Sequence, residues 1–320
     1  MKKFIYAALG GLAVIAAPQI AAAGCADFQI AGSEAALNYD PFGNAVLDRI
    51  FTVRVSRNSR EATAVRFLLA DPDPAGAVSR FGPNGPEGYD VSWNRDSGRD
   101  VFVLGAQQPN QTNGALVSLG GRDRHAPANE TFRIRVPAGQ NVAAGRYLER
   151  LEVRYVCYSG QEMLDSPDVQ SGSQVALELR VPERISSFIG SPGNRSGQID
   201  FGVIAPGGGA MVRDITVTTK ATIPYDIEVD SERGGLKRSR NDAFTLPYAL
   251  RLSGQPVRDR SRMSCGRTDA PNGRLHPLQV EINPADAAQA PAGSYSDTVT
   301  LTFSPRLGMA GGAGCSVTSG

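Results

Sequence analysis

Histidine is nearly absent from this chain. His125 and His276 are the only two in 320 residues, and each lies near a proline in turn-rich sequence, where surface histidines are expected. No Gly-x-Ser-x-Gly elbow, His-Glu-x-x-His pair, Walker loop or Gly-x-Gly-x-x-Gly turn occurs. Gly207-Gly208-Gly209 lies between two strand-like segments rather than ahead of a helix, so it reads as a flexible turn. Hydrolase and nucleotide-binding chemistry thus lack their usual carriers, and no catalytic residue or cofactor is expected. Two acidic turns, Asp71–Gly76 and Asn94–Asp100, resemble the start of a calcium loop. Prolines in the first, and the want of a later bidentate Glu, favour Asx turns without metal. An excess of one charge is also missing: 33 basic residues stand against 32 acidic ones. Arg233, Lys237, Arg238, Arg240, Arg258, Arg260 and Arg262 form a basic stretch, but Asp230, Glu232, Asp242 and Asp259 balance it. Nucleic acid is therefore not an expected partner. After residue 23 no apolar run reaches the 18 residues a membrane helix needs, and no amphipathic helix exceeds two turns.

What is present begins with a leader. Lys2 and Lys3 precede an apolar stretch from Phe4 to Ile20, and Ala21-x-Ala23 offers a small-residue cleavage site, so residues 1–23 read as a signal peptide. Export places the four cysteines in an oxidising compartment. Cys25 and Cys157 fall in the first half, Cys265 and Cys315 in the second. Three connectivities are possible. One bridge per half, Cys25–Cys157 and Cys265–Cys315, is expected, each worth roughly 4–5 kcal/mol if loop entropy alone counts.

A segment near residue 140 recurs near residue 288. Residues 132–157 and 278–304 each hold an alternating strand, a Pro-Ala turn, an Ala-Gly-x-Tyr step and a second alternating strand. Apolar positions repeat with period two, which marks β structure. One unit used twice implies two domains of one fold. Seven short strands between residues 51 and 157 suggest an immunoglobulin-like β-sandwich. Val175, Leu177, Leu179 and Val181 alternate cleanly afterwards and would close that domain from its own chain. The expected division is residues 24–182 for the first domain, 183–197 for a linker and 198–320 for the second domain. In the first, Phe81, Tyr89, Trp93 and Phe102 lie among Gly and Pro. In a sandwich most of these are expected in the core, and any that projected from loop tips would make a surface-binding patch.

The second half differs. After Phe303 the chain runs on as a Gly-rich tail, residues 304–320, with no alternating apolar run. The second domain would then lack a closing strand and present a cleft lined by Ile199, Phe201 and Val203 from its first strand and Val299, Leu301 and Phe303 from its last. Such a cleft invites strand addition by a partner.

Residues 199–207 (IDFGVIAPG), 215–217 (ITV), Gly234-Gly235-Leu236, 246–250 (LPYAL) and 292–303 (AGSYSDTVTLTF) resemble the spore coat protein U domain family, the subunit fold of archaic chaperone–usher pili. Residues 39–43 (YDPFG), 51–53 (FTV) and 144–155 (AGRYLERLEVRY) extend the resemblance, more distantly, to the first half. It implies incomplete sandwiches completed first by a strand of a periplasmic chaperone, then at an outer-membrane usher by a neighbouring subunit's strand. A two-domain member of this size looks like a pilus-tip adhesin, exported to the cell surface, binding a host or abiotic surface and promoting biofilm. Cys25 lies two residues after the expected cleavage, which leaves no free donor strand and implies a terminal subunit. A coat component of the same fold, a secreted carbohydrate-binding module and a hydrolase are the alternatives.

Overall fold

The computed structural model describes residues 24–31, 36–120, 126–164, 173–204, 209–238, 242–306 and 314–318. The leader, His125, Gly207-Gly208 and Arg240 lie outside them. The fold is all-β: the described residues hold twenty strands and one helix of four residues. None of their helices is long and apolar enough to cross a membrane.

The first sandwich is built from β1 (Ala26–Ile30), β2 (Ala36–Asn38), β3 (Leu47–Arg57), β4 (Ala64–Asp71), β5 (Asp90–Trp93), β6 (Phe102–Leu104), β7 (Ala115–Ser118), β8 (Ala128–Val136), β9 (Gly145–Ser159), β10 (Glu162–Met163) and β11 (Ser173–Val181). One sheet runs β1-β3-β8-β5 and the other β2-β11-β9-β4-β6, with β10 on β9 and β7 on β4. Alternation sends Phe51, Val53 and Val55 of β3 and Phe132 and Ile134 of β8 inward from one sheet. Val65, Phe67 and Leu69 of β4 and Leu151 and Val153 of β9 meet them from the other. Phe67 lies edge-on to Phe132 at 5.7 Å between ring centroids. A disulfide joins Cys25 to Cys157, fastening the entry of β1 to β9 in the opposite sheet. The closing strand comes from the same chain: β11 pairs antiparallel with β9 from Ser173↔Val153 to Val181↔Gly145. Its Val175, Leu177 and Leu179 have no exposed surface.

The second sandwich has β12 (Ile185–Ile189), β13 (Met211–Ala221), β14 (Tyr225–Ser231), β15 (Ala249–Leu252), β16 (Gln255–Val257), β17 (Arg262–Cys265), β18 (Arg274–Ile282), helix α1 (Pro284–Ala287), β19 (Val299–Pro305) and β20 (Cys315–Thr318). Its sheets run β12-β13-β18-β15-β16 and β19-β14-β17-β20. The repeated unit is β8–β9 in the first sandwich and β18–β19 in the second, and in each copy the two strands enter opposite sheets. The tyrosine of each Ala-Gly-x-Tyr step donates its hydroxyl proton to the carbonyl four residues earlier, Tyr147 to Ala143 at 2.9 Å and Tyr295 to Pro291 at 2.6 Å.

Three expectations need correction. Within the stretch read as linker, Ile185–Ile189 is a strand, paired with β13 from Ile185↔Ala221 to Ile189↔Val217. The connection between sandwiches is thus Pro182-Glu183-Arg184, strapped by the Thr222 hydroxyl, which accepts from the Arg184 amide (2.8 Å) and donates to the Pro182 carbonyl (2.8 Å). Residues 198–202, read as the first strand of the second domain, have no regular structure. Finally, Phe81, Tyr89 and Trp93 are buried and make no exposed patch. The loop between β4 and β5 folds inward: Phe81 packs on Tyr89 at 4.8 Å and Tyr89 on a partly buried Phe102 at 5.2 Å. The Trp93 indole N–H donates to the buried Glu130 carboxylate at 3.0 Å.

The sandwiches touch through polar contacts. The Asn141 amide donates to Asp269 at 2.9 Å, the Ala144 N–H donates to the Thr222 carbonyl at 3.0 Å, and Arg184 pairs with Asp40 at 2.5 Å.

Candidate functional site

The second sandwich ends one of its sheets on β19. Along that strand Val299, Leu301 and Phe303 point inward and Thr300, Thr302 and Ser304 outward. Its partner β14 sets Ser231, Val229 and Ile227 opposite Val299, Leu301 and Phe303. Ile227 and Val229 are wholly buried, whereas the three apolar side chains of β19, one strand further out, stay partly exposed. Burial thus falls away within one strand spacing, about 4.8 Å. Across the sandwich the other sheet ends on β12. Ile185 of that strand, with Ile199 and Phe201 of the irregular segment beyond it, packs against the same core and is likewise only partly buried. Five of the six residues expected to line a groove, together with Ile185, are therefore only partly buried at these two sheet ends. Val203 is the exception: it is 96% exposed and does not join the groove, because residues 198–204 do not continue as a strand that would alternate it inward.

The floor under Phe303 is polar and closed. Tyr225 and His276 lie 6.2 and 6.4 Å from the Phe303 ring. The Tyr225 hydroxyl and His276 Nε2 share a hydrogen bond of 2.8 Å, and His276 Nδ1 shares another with the Ser253 hydroxyl. His276, expected at the surface, is fully buried. Burial, with the Arg274 guanidinium nearby, lowers its pKa to about 4, so it is neutral at pH 7. Burial raises the Tyr225 hydroxyl to about 12. Both rings thus serve as uncharged, hydrogen-bonded packing.

Asp297 holds the start of β19. Its carboxylate accepts from the Ser231 and Tyr248 hydroxyls at 2.5 and 2.6 Å and from the Arg233 amide at 3.0 Å. Sequence reasoning counted Asp297 in the AGSYSDTVTLTF motif without giving it a role; its acid type among Thr and Ser was the available signal.

The described part of the tail does not lie along β19. That part, residues 314–318, forms β20, a strand the Gly-rich composition did not announce, and it pairs with β17 at the edge opposite β19. A disulfide between Cys265 of β17 and Cys315 holds it there. Among the described residues, the one cluster with metal-ligand composition is Cys265, His276 and Cys315, and its two cysteines form that bond. The acidic turns of the first sandwich satisfy themselves: Asp71 accepts from the Asp73 and Arg80 amides, and Asp96 from the Gly98 amide. Several basic residues of the second sandwich pair with acids, Arg238 with Asp242, Arg260 with Asp259 and Arg262 with Glu228.

No family model matches the chain, and no curated protein matches it. Solved structures similar to it include the chaperone–tip adhesion subunit pre-assembly complex CsuC–CsuE from archaic chaperone–usher Csu pili of Acinetobacter baumannii, at 16% identity over 84% of this chain and 96% of that one, with a TM-score of 0.40. The CupB6 tip adhesin from Pseudomonas aeruginosa is 13% identical over 91% of this chain and 96% of its own, with a TM-score of 0.43. CfaE, the adhesive subunit of CFA/I fimbria of enterotoxigenic Escherichia coli, is 14% identical over 90% and 83%, with a TM-score of 0.37.

Proposed function

We propose that this chain is a tip adhesin of a chaperone–usher pilus, a binding and structural protein without catalysis. The second sandwich is its assembly module and the first its surface-binding module. The carrying observation is the edge at β19, where Val299, Leu301 and Phe303 are left partly exposed beside the fully buried Ile227 and Val229 of β14. A strand laid along β19 would pair the backbone groups on its side away from β14 and bury alternate apolar side chains between β19 and β12. Each such side chain contributes about 1.5–3 kcal/mol. A periplasmic chaperone supplies that strand first, and a neighbouring pilus subunit replaces it at the outer-membrane usher. The adhesin is then displayed at the cell surface, where the first sandwich engages a host or abiotic surface.

Leu301→Asp tests the reading, because it puts a charge into the groove. Wild type should co-purify with the cognate chaperone and the variant should not, while the first sandwich stays folded in both. Equal recovery of the two would overturn the proposal.

A further inference from the structure

Two strands end the four-stranded sheet of the second sandwich, and they are not alike. At the β20 edge the ladder with β17 sets Cys265 opposite Cys315, Ser264 opposite Ser316 and Met263 opposite Val317. The Gly266 amide donates to the Gly314 carbonyl at 3.0 Å. Antiparallel pairs alternate between bonded and unbonded, so Gly314 and Ser316 bond to β17, while the backbone groups of Cys315 and Val317 point away from it. Those outward groups are the ones an incoming strand would use. One side chain already meets them. The Gln255 amide donates from Nε2 to the Cys315 carbonyl at 3.1 Å, and its Oε1 accepts from the Val317 N–H at 2.9 Å. A primary amide offers one donor and one acceptor side by side, as a residue of a paired strand does. Gln255 lies on β16, the last strand of the opposite sheet, so its side chain bridges the two sheet ends on that side of the sandwich.

We propose that the Gln255 side chain stands in for a strand on β20 and closes this edge to strand addition, so that a partner's strand, or a second copy of this chain, is accepted on β19 alone. The statement about β19 rests on the function proposed above; the closure of β20 does not. An unblocked β20 would give each molecule two accepting edges and allow branched or off-register association.

The test uses the full chain carrying Leu301→Asp, which blocks β19 whatever its role, with and without Gln255→Leu, which keeps the side chain's bulk and removes its amide. Amide hydrogen exchange and sedimentation velocity are read together. The added substitution should speed exchange at Val317 by about tenfold and leave Ser316, bonded to β17, slow. The doubly substituted chain should self-associate at concentrations where Leu301→Asp alone is monomeric, and Gln255→Ala should act as Gln255→Leu does. Unchanged exchange at Val317 with unchanged sedimentation would overturn the proposal. So would fast exchange at Ser316 as well, which would make Gln255 a clamp that merely holds β20 in place. Failure of the β19 reading alone would leave the Val317 result intact.

Discussion

β9 and β19 are the second strands of one repeated unit, and they differ in what lies on their far side. β9 is flanked by β4 and β11, and the apolar face of β11 has no exposed surface. Among the described residues β19 is flanked by β14 alone, and its apolar face is partly exposed. The local pattern is the same in both, so strand formation does not decide whether a sheet is finished. The chain that follows decides it. After β9 the chain turns through β10 and returns as β11; after β19 it goes to the opposite edge. The disulfide explains why β20 cannot lie on that side: Cys265 lies on β17, and the free side of β19 is three strand spacings, about 14 Å, away. Bridged cysteines need Cα atoms within about 7 Å.

The sharpest way to break this comparison is to put the same charge into both faces. Leu177→Asp in β11 should unfold the first sandwich, at a cost of about 5 kcal/mol, because an aspartate there has no water and no partner. Leu301→Asp on the open strand β19 should leave the fold of its sandwich little changed by circular dichroism, since a partly exposed position lets its carboxylate reach solvent. Equal losses would mean that β19 is as enclosed as β11.

Acid and base should then separate the sandwiches. Burial raises the carboxyl of Glu149 in β9 to about 7, with backbone N–H groups of Gly82 and Arg150 acting against the rise. A raised carboxyl pKa favours the folded state fully below its ordinary value near 4.5, and that contribution is lost as pH climbs to about 7. His276 behaves oppositely. Its lowered pKa gives stability that is full above about 6.5 and lost as pH falls to about 4. Each effect is on the order of 3 kcal/mol. Calorimetry should show the first sandwich melting higher at pH 4.5 than at 7.5, and the second, with its partner strand bound, melting lower. Glu149→Gln should flatten the first trend.

The smallest effect compares the two tyrosines. Tyr147→Phe and Tyr295→Phe each remove one hydroxyl-to-carbonyl bond and should each cost about 1 kcal/mol in chemical denaturation. A much larger loss at Tyr147 would show that the closed sandwich relies on this corner more than the open one does.

Long strands with clean alternation were legible from the sequence, among them β3, β4, β8, β9, β11 and β19. β12 was not, because Ser186-Ser187 interrupts its apolar pattern, although Ser187 stands opposite a buried Thr219 and needs no apolar side chain. β20 was hidden by surrounding glycines and a span of only four residues. The inward face of a residue was legible where a strand carried it, as with Val299, Leu301 and Phe303. Val203 was misplaced because alternation was extended into a segment that forms no strand. The aromatic loop was legible only as mostly core: glycines and prolines mark a turn but do not say which of its side chains fold back.

Taken by itself, the sequence determined the all-β class, the doubled unit, the inward face of each long strand and the strand that follows β9, since all of these depend on residue order within a few neighbours. Only the tertiary structure decided which edge the tail occupies, that Gln255 meets its outward backbone, that His276 lies neutral in the core and that Phe81, Tyr89 and Trp93 point inward. Each of these depends on residues far apart in the chain being brought within hydrogen-bonding or packing distance, and period-two alternation carries no record of that distance.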